Sequence, residues 1–304
     1  MAEYICIDGG TTNTRITLVK DGSAVDTERF NIGSGKSENN ALLKKAVKSG
    51  IEHIFEKHGT APKAVIASGM ITSGGGLCEI PHIPAPAGLK ELHNAIAVRH
   101  IPEICDIPFA FIPGVKAVSA ALENADIMRG EETELMGLDI DISGSLVLLP
   151  GSHSKCISVS KDGKIEKFHT FLTGEMIYAA SSATILSRTV DLSVAADKEY
   201  MIKGYEYCEK YGINEALFKT RILDMLFLCT PAQCMGFFTG VILHGEISRI
   251  IKLPQKCVVI AGKMELKYSI AYLLEYFSQK EVICVSDVSA NNAPALGAVK
   301  IYEM

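Results

Sequence analysis

Near its N-terminus the chain reads Ile7-Asp8-Gly9-Gly10-Thr11-Thr12-Asn13-Thr14-Arg15-Ile16-Thr17-Leu18-Val19-Lys20-Asp21-Gly22. An apolar segment runs into Asp8, a turn of glycines and threonines follows, and a second segment rich in β-branched residues leads to the Asp-Gly pair. Asp-Gly is typical of a tight hairpin because both residues tolerate a positive φ. The stretch therefore predicts two strands joined by a turn at 10–13, with a third strand over Ser23–Phe30.

The same pattern returns in the second half of the chain, which reads Leu149-Pro150-Gly151-Ser152-His153-Ser154-Lys155-Cys156-Ile157-Ser158-Val159-Ser160-Lys161-Asp162-Gly163. Its glycine turn and its Asp-Gly pair lie at one common offset from those of the first stretch, and a third strand is predicted over 164–171. We interpret the two stretches as a duplicated lobe. The predicted lobes are 1–143 and 144–304, with the boundary near Ser143-Gly144.

The rest of the chain alternates helix and strand signals, which favours an α/β fold. Apolar residues at helical spacing predict a helix over 39–58, and the acidic residues after Arg129-Gly130 predict the start of another. Residues 65–67 are a predicted buried strand, and the Gly- and Pro-rich segment 72–88 is a predicted irregular loop. In the second half we expect helices at 173–187, 197–210, 214–229, 233–252, 264–279 and 294–303, with strands at 257–260 and 282–285.

Composition narrows the class of protein. The 304 residues suit two domains, and 48% hydrophobic with 21% charged residues indicates a globular, well-buried chain. A net charge of -5 without a basic run argues against nucleic acid. We expect no membrane partner, because the chain shows no signal-type start and no uninterrupted apolar stretch of about 18 residues. Nine cysteines without a C-x-x-C pair indicate reduced thiols in a cytoplasmic protein.

The two glycine turns have the chemistry of phosphate-binding sites. Glycine allows close approach of the backbone, and unpaired N–H groups form an anion-binding nest. The carboxylate of Asp8 would repel phosphates there unless a divalent cation lay between them, which points to Mg²⁺. The alternative is a pair of ordinary hairpins with polar turns.

A Gly-Lys-Ser sequence also occurs within Gly33-Ser34-Gly35-Lys36-Ser37. It lacks the upstream glycine of a P-loop, so we interpret it as a solvated loop.

Five segments of the chain together resemble one known family. They are residues 8–15, 68–73, 128–134, 149–155 and 168–175. In order and spacing they resemble the 2-keto-3-deoxygalactonokinase family of the sugar kinase, Hsp70 and actin superfamily. The resemblance implies two ribonuclease-H-like lobes with a cleft between them. It also implies an ATP-dependent kinase that phosphorylates the terminal hydroxyl of 2-dehydro-3-deoxy-D-galactonate in sugar-acid catabolism.

The resemblance further implies how ATP and Mg²⁺ are bound. Asp8 would organise Mg²⁺ through water, and the two turns would face each other across one polyphosphate. The implied phosphate ligands are Gly10, Thr11, Thr12, Asn13, Gly151, Ser152, His153 and Lys155. Segment 258–263 is similar to the adenosine-binding segment of the superfamily, with Gly262 lying against the nucleotide.

Phosphoryl transfer also needs a carboxylate that orients the sugar hydroxyl and accepts its proton. Glu131 is the first candidate and Glu132 the second, although both could simply complement the positive end of the helix dipole. Arg129 could neutralise the transferring phosphate or pair with one of these glutamates. The expected sugar-acid ligands are Arg15, Met70, Ser73, Gly74 and Glu175, the last of which could instead cap a helix.

Several alternatives stay open on the sequence. Residues 72–77 read Thr-Ser-Gly-Gly-Gly-Leu where the family tends to have Gly-Ser-Arg-Gln-Gly-Trp, so another small sugar acid could be the substrate. A polyphosphate or nucleotide phosphohydrolase would use Glu131 to orient water. A nucleotide-gated sugar sensor is disfavoured because no helix-turn-helix segment precedes Asp8. Beyond a small sugar acid, a second copy of the chain in a homodimer is a further possible partner.

Overall fold

The computed structural model describes residues 2–34, 40–59, 62–262 and 264–304, so Gly35, Lys36 and Ser37 of the Gly-Lys-Ser segment lie outside the described residues. The chain divides into two compact units. Unit 1 comprises Met1–Ser143, Ser158–Phe168 and Val288–Met304, and unit 2 comprises Gly144–Ile157 and His169–Asp287. These units are not contiguous in sequence, and the contiguous lobes 1–143 and 144–304 stay a prediction.

Unit 1 is built on a six-stranded sheet. Its elements are β1 (Glu3–Gly9), β2 (Thr14–Lys20), β3 (Ser23–Phe30), α1 (Asn40–His58), β4 (Ala64–Gly69), β5 (Ile83–Pro84), α2 (Leu89–Asn94), β6 (Ala97–Ile101), β7 (Cys105–Phe111), β8 (Val115–Ala117), β9 (Asp126–Met128) and α3 (Glu131–Gly137). The sheet order is β3-β2-β1-β4-β7-β6, and β5, β8 and β9 form a separate small sheet. The hairpin predicted from the opening stretch is present, with antiparallel β1, β2 and β3.

Burial explains why these segments form the core of unit 1. All six residues of β4 are buried, as expected for a central strand that is covered on both faces. The predicted helix α1 buries Leu43, Val47, Ile51 and Ile54, which recur at helical spacing and pack in the same core as the sheet. Parallel pairing of β1 with β4 places Asp8 beside Ser68 at the carboxyl ends of both strands.

Unit 2 carries a five-stranded sheet and most of the helices. Its elements are β10 (Leu146–Leu149), β11 (Ser154–Val159), β12 (Ile165–Phe171), α4 (Thr173–Ala183), α5 (Lys198–Tyr211), α6 (Ile213–Phe227), α7 (Pro231–Ile251), β13 (Cys257–Ile260), α8 (Met264–Phe277) and β14 (Glu281–Cys284). The tip of the β11–β12 hairpin, residues 158–168, is grouped with unit 1. The order β12-β11-β10-β13-β14 repeats the first five positions of the unit 1 sheet, as expected for a duplicated lobe.

Helix α7 is the longest helix of the described residues. It begins with a capping box between Thr230 and Gln233 and has Pro231 in its first turn. By length and composition it is the one helix of the described residues that is apolar enough to cross a membrane, but 67% of its apolar window is buried inside the protein. Such burial is typical of a core helix of a globular protein.

The last helix, α9 (Asp287–Glu303), corrects the prediction of a helix over 294–303. It begins seven residues earlier, and Pro294 lies inside it. The part from Val288 onwards belongs to unit 1, where α9 packs closely against α3. A Cβ at Gly297 would lie 1.8 Å from the Thr133 carbonyl oxygen, so a side chain there would separate the two helices.

Candidate active site

The first glycine turn, residues 10–13, follows β1 and is supported from behind. The Gly10 N–H donates to the Asn13 carbonyl at 2.8 Å, and the Ser34 N–H donates to the Gly10 carbonyl at 3.0 Å. Gly33 touches the rear of the turn, where a Cβ would lie 2.2 Å from the Thr11 carbonyl oxygen. The side chains of Thr11, Thr12 and Asn13 are exposed. The turn is therefore packed on one side and open to a ligand on the other.

Asp8 and Arg15 form an ion pair at the base of this turn. They are cross-strand partners in β1 and β2, and the Arg15 Nε and Nη2 groups donate to Asp8 Oδ2 at 2.9 and 2.5 Å. Burial lowers the pKa of Arg15, but the charges of Asp8 and Glu134 outweigh it and raise the pKa above its usual value. Each side chain keeps about a quarter of its surface exposed, at 25% for Asp8 and 26% for Arg15. Arg15, the predicted sugar ligand, thus forms an ion pair with Asp8, the predicted metal ligand.

Gly69, at the end of β4, packs closely against the end of β1. It ends β4 with a φ of 80°, which favours glycine, and a Cβ there would lie 2.5 Å from the Gly9 carbonyl oxygen. The same Cβ would lie 3.3 Å from Asp8 Oδ1. The end of β4 therefore packs directly against the residue that follows Asp8.

The two candidate bases have different surroundings at the start of α3. Glu132 is fully buried, and both its carboxylate oxygens accept the Gly130 N–H, at 2.8 and 2.9 Å. Burial, together with the charge of Glu131, raises the pKa of Glu132 to about 8. Glu131 is half-buried and accepts the Arg129 N–H at 2.9 Å. Glu132 therefore hydrogen-bonds the start of the helix from within the protein. Glu131 is partly exposed, so a substrate can reach its side chain.

Glu134 is a site residue that the sequence analysis missed. Burial and the charge of Asp8 raise its pKa to about 7, while Arg15 lowers it. Glu134 therefore lies in the same electrostatic cluster as Asp8, Arg15 and Glu131. Its spacing is the signal that could have found it, because residues three apart share one face of a helix.

Arg129 holds the loop that follows β4. Its Nη1 group donates to the Thr72 carbonyl at 2.7 Å and to the Thr72 hydroxyl, and its Nη2 group donates to the Ile80 carbonyl at 2.9 Å and to His82 Nδ1 at 3.1 Å. Burial lowers its pKa, although Glu132 and Glu79 oppose the shift. The structure thus directs this guanidinium into the protein, towards residues 72–82.

The predicted sugar ligands Met70, Ser73 and Gly74 share this loop. Residues Met70–Thr72 form a single 3₁₀ turn, and the Ser73 hydroxyl donates to the Met70 carbonyl at 2.6 Å. Gly74 is exposed, whereas the Gly76 carbonyl accepts the Asn40 side-chain amide at 2.5 Å. The loop is tied at both ends and presents its middle to solvent.

The second glycine turn, at 151–155, is built by unit 2. Ser152 and His153 are exposed, whereas Ser154 and Lys155 are buried. The His153 Nε2 atom lies 2.8 Å from Glu175 Oε1, so Glu175 lies beside a predicted phosphate ligand. Gly262 also reaches this turn, because a Cβ there would lie 3.0 Å from the Pro150 carbonyl oxygen. Lys263 of the adenosine-like segment lies outside the described residues.

The start of α4 is joined to the second turn. The Gly174 and Glu175 N–H groups donate to the Gly151 and Ser152 carbonyls at 3.1 and 3.2 Å. The Thr173 hydroxyl donates to Glu246 at 2.6 Å from within the protein. Sequence analysis missed Glu246, because a single glutamate within the apolar pattern of α7 gives no sign of what it contacts.

The residues present fit Mg²⁺ held mostly by water and phosphate. Among the described residues, no group of three or more His, Cys, Asp or Glu side chains could form a protein cage for a metal ion. Mg²⁺ in kinase sites is usually held by one or two carboxylates plus water and phosphate oxygens. Asp8, a quarter exposed beside an open turn, suits that mode.

The chain is similar to known proteins along most of its length. Residues 8–295 match the family model described as 2-keto-3-deoxy-galactonokinase. A probable 2-dehydro-3-deoxygalactonokinase of Rhizobium meliloti is 32% identical, over 97% of each chain. The 2-dehydro-3-deoxygalactonokinase of Escherichia coli K12 is 24% identical, over 81% of this chain and 80% of its own.

A solved structure shows the same fold. The crystal structure of a Sinorhizobium meliloti protein, provisionally assigned as a 2-dehydro-3-deoxygalactonokinase, superimposes with a TM-score of 0.79 at 24% identity. The match covers 98% of this chain and 97% of that one. The chain therefore belongs to the 2-keto-3-deoxy-galactonokinase family and has the α/β fold of these sugar kinases.

Proposed function

We propose that this protein is an MgATP-dependent kinase that phosphorylates the terminal hydroxyl of 2-dehydro-3-deoxygalactonate. The observation that carries the proposal is the open turn at 10–13, which follows Asp8 closely along the chain. A relative named as a probable 2-dehydro-3-deoxygalactonokinase matches 97% of the chain, and this match supports the choice of substrate. The free cysteines of the chain are consistent with a reducing cytoplasm.

The first turn is the proposed site for the β- and γ-phosphates. The exposed Thr11 and Thr12 hydroxyls and the turn backbone supply donors, and Gly33 keeps the turn in place from behind. Asp8 would hold Mg²⁺ through water, with Arg15 fixing its carboxylate. The bound cation would neutralise phosphate charge as the γ-phosphoryl group transfers.

Glu131 is the proposed base. It accepts the proton of the sugar hydroxyl while that oxygen bonds to the γ-phosphorus and ADP leaves. Glu132 is enclosed and bonded to Gly130, which suits a structural role at the helix start. The partial exposure of Glu131 supports Glu131, rather than Glu132, as the base.

We assign Arg129 to positioning rather than to the transferring phosphate. Its guanidinium hydrogen-bonds Thr72, Ile80 and His82. It therefore holds the loop that carries Met70, Ser73 and Gly74. Those three residues remain the proposed contacts of the sugar acid. Arg129 thereby links the sugar loop to Glu131, two residues along the chain.

The second turn and its neighbours are the proposed partners of the rest of the nucleotide. Ser152 and His153 offer exposed donors, and Glu175 orients the His153 ring rather than the sugar. A mostly apolar cavity of about 240 Å³ lies along α8, the helix that follows Gly262. Tyr268 and Tyr272 line it, so it suits the planar adenine base. That both turns bind one nucleotide stays a prediction, as does a homodimer.

Incubation of the protein with MgATP and a panel of sugar acids tests the proposal. We expect ADP release that depends on 2-dehydro-3-deoxygalactonate and is much slower with its stereoisomers. ADP release that depends on another sugar acid would support a kinase with a different substrate. Phosphate release without any acceptor would instead support a phosphohydrolase, and nucleotide binding without turnover would support a sensor.

A further inference from the structure

Glu246 is a buried carboxylate behind the second glycine turn. It lies on α7 and is only 2% exposed. The Thr173 hydroxyl donates to its Oε2 atom at 2.6 Å, and the nearby Ser154 hydroxyl lowers the pKa of this carboxyl. Its Oε1 atom is buried without a hydrogen-bond partner among the described residues. Glu246 therefore holds the first residue of α4, the helix whose start is hydrogen-bonded to the turn.

This arrangement determines how the turn is oriented. The Glu246 Oε2 atom accepts the Thr173 hydrogen bond, so the Thr173 hydroxyl hydrogen points towards the carboxyl group. Within the turn, the Ser154 hydroxyl oxygen accepts the Gly151 N–H at 3.4 Å. Gly174 and Glu175 donate to the turn carbonyls from the start of α4. The turn at 151–153 is therefore anchored by the start of α4, which Glu246 holds through Thr173.

Glu246 also stands out within its own helix. The other buried residues of α7 are apolar, glycine, cysteine or threonine, including Val241, Leu243 and Ile247. A buried carboxylate with an unpaired oxygen costs stability, and an apolar side chain of similar size would avoid that cost. Glu246 is therefore placed where it costs stability, and the hydrogen bond that it gains among the described residues is to Thr173, beside the turn.

We infer that Glu246 is a positioning residue that preorganises the second turn, at 151–153, for nucleotide phosphates. The inference rests on the proposed function, in which this turn binds the nucleotide. Glu246 itself does not touch the nucleotide. It acts through Thr173 and the start of α4, whose N–H groups hold the Gly151 and Ser152 carbonyls of the turn in one arrangement.

The test compares Glu246→Gln, Glu246→Leu and Thr173→Val with the full-length wild type. Ser248→Ala is the matched control, because Ser248 lies on the same helix and its hydroxyl bonds Tyr205 and His244 instead of the turn. Calorimetry gives the Kd for MgATP without sugar acid, and steady-state kinetics give KM for each substrate and kcat. Circular dichroism and thermal denaturation establish that each variant is folded.

We expect Glu246→Leu to weaken MgATP binding by about tenfold or more, because the Thr173 hydroxyl loses its acceptor and the start of α4 is no longer held. KM for the sugar acid should stay within about twofold, since that loop lies in unit 1. Glu246→Gln keeps an acceptor oxygen and should restore binding to within about threefold, and Thr173→Val should fall between the two. Ser248→Ala should match the wild type.

A folded Glu246→Leu protein with wild-type affinity for MgATP would overturn the inference. So would equal losses in Glu246→Leu and Ser248→Ala, which would indicate a general effect of α7. If Glu246→Leu does not fold, Thr173→Val decides alone, and unchanged affinity there would also overturn it. A wild-type protein that binds no MgATP would refute the proposed function itself, and the inference with it.

Discussion

Replacement of Arg129 by Gln separates a loop-holding role from a phosphate-binding one. The variant loses up to four hydrogen bonds and leaves the Ile80 carbonyl without its donor, whereas the Thr72 carbonyl keeps the Ile80 N–H at 3.0 Å. Both residues are buried, at 0% and 5% exposure. A buried polar group left unpaired costs about 1–3 kcal/mol, so we expect a loss of about 2–4 kcal/mol after partial relaxation. At roughly 2–4 °C per kcal/mol, Tm should fall by about 5–15 °C.

The kinetic signature follows from the same contacts. Because the loop carries Met70, Ser73 and Gly74, its loosening should raise KM for the sugar acid by about tenfold and leave KM for MgATP nearly unchanged. Thermal denaturation and steady-state kinetics measure the two effects. Thr72→Val is the matched control, since it removes the hydroxyl partner of Arg129 and keeps the carbonyl contact. It should show a smaller fall in Tm and a smaller rise in KM.

One result would refute this reasoning. If Arg129→Gln lowers kcat by a large factor while Tm and KM for the sugar acid stay at wild-type values, the guanidinium acts on the transferring phosphate. Its hydrogen bonds to the loop would then contribute nothing measurable. In that case the catalytic role considered from the sequence would replace the positioning role.

Three further predictions test other parts of the site. Asp8→Ala should abolish turnover in a folded protein, and near-normal activity would remove Asp8 from the mechanism. Glu131→Gln should lower kcat by a factor of about 10²–10⁴ with little change in MgATP affinity, and the base assignment fails if Glu132→Gln alone does so. Burial raises the pKa of Glu246 from 4.5 to about 7, so its contribution to stability is fully present below about pH 4.5 and is lost as pH rises to about 7. Between pH 5 and pH 8, the free energy of unfolding of the wild type should therefore fall by up to about 3 kcal/mol more than that of Glu246→Gln. Thermal denaturation measures both, and the same pH dependence in the two proteins would show that the pKa of Glu246 is not raised.

Strands and helices whose signal lies in a few neighbouring residues were predicted correctly from the sequence. The Asp21-Gly22 pair gave the third strand at Ser23–Phe30, because a hairpin turn fixes where the next strand starts. The spacing of Leu43, Val47 and Ile51 predicted α1, because apolar residues four apart lie on one face of a helix. The family and its fold followed from the order of five short segments, which the comparisons confirm.

Features that depend on tertiary contacts were missed. Strands β6 and β7 had no prediction, and Pro108 within β7 obscures a strand pattern. The start of α9 at Asp287 was missed, and Pro294 lies inside this helix, where proline is disfavoured. The inward direction of Arg129 depends on the Thr72 and Ile80 carbonyls, which are far from it in sequence.

The position of the transferred phosphate tests the central claim most directly. The protein is incubated with MgATP and 2-dehydro-3-deoxygalactonate, and the product is examined by proton-coupled phosphorus NMR, with Asp8→Ala as the inactive control. We predict one phosphate ester coupled to the terminal methylene protons, together with ADP in equal amount. Inorganic phosphate with unchanged sugar acid, or an ester on another hydroxyl, would contradict the account.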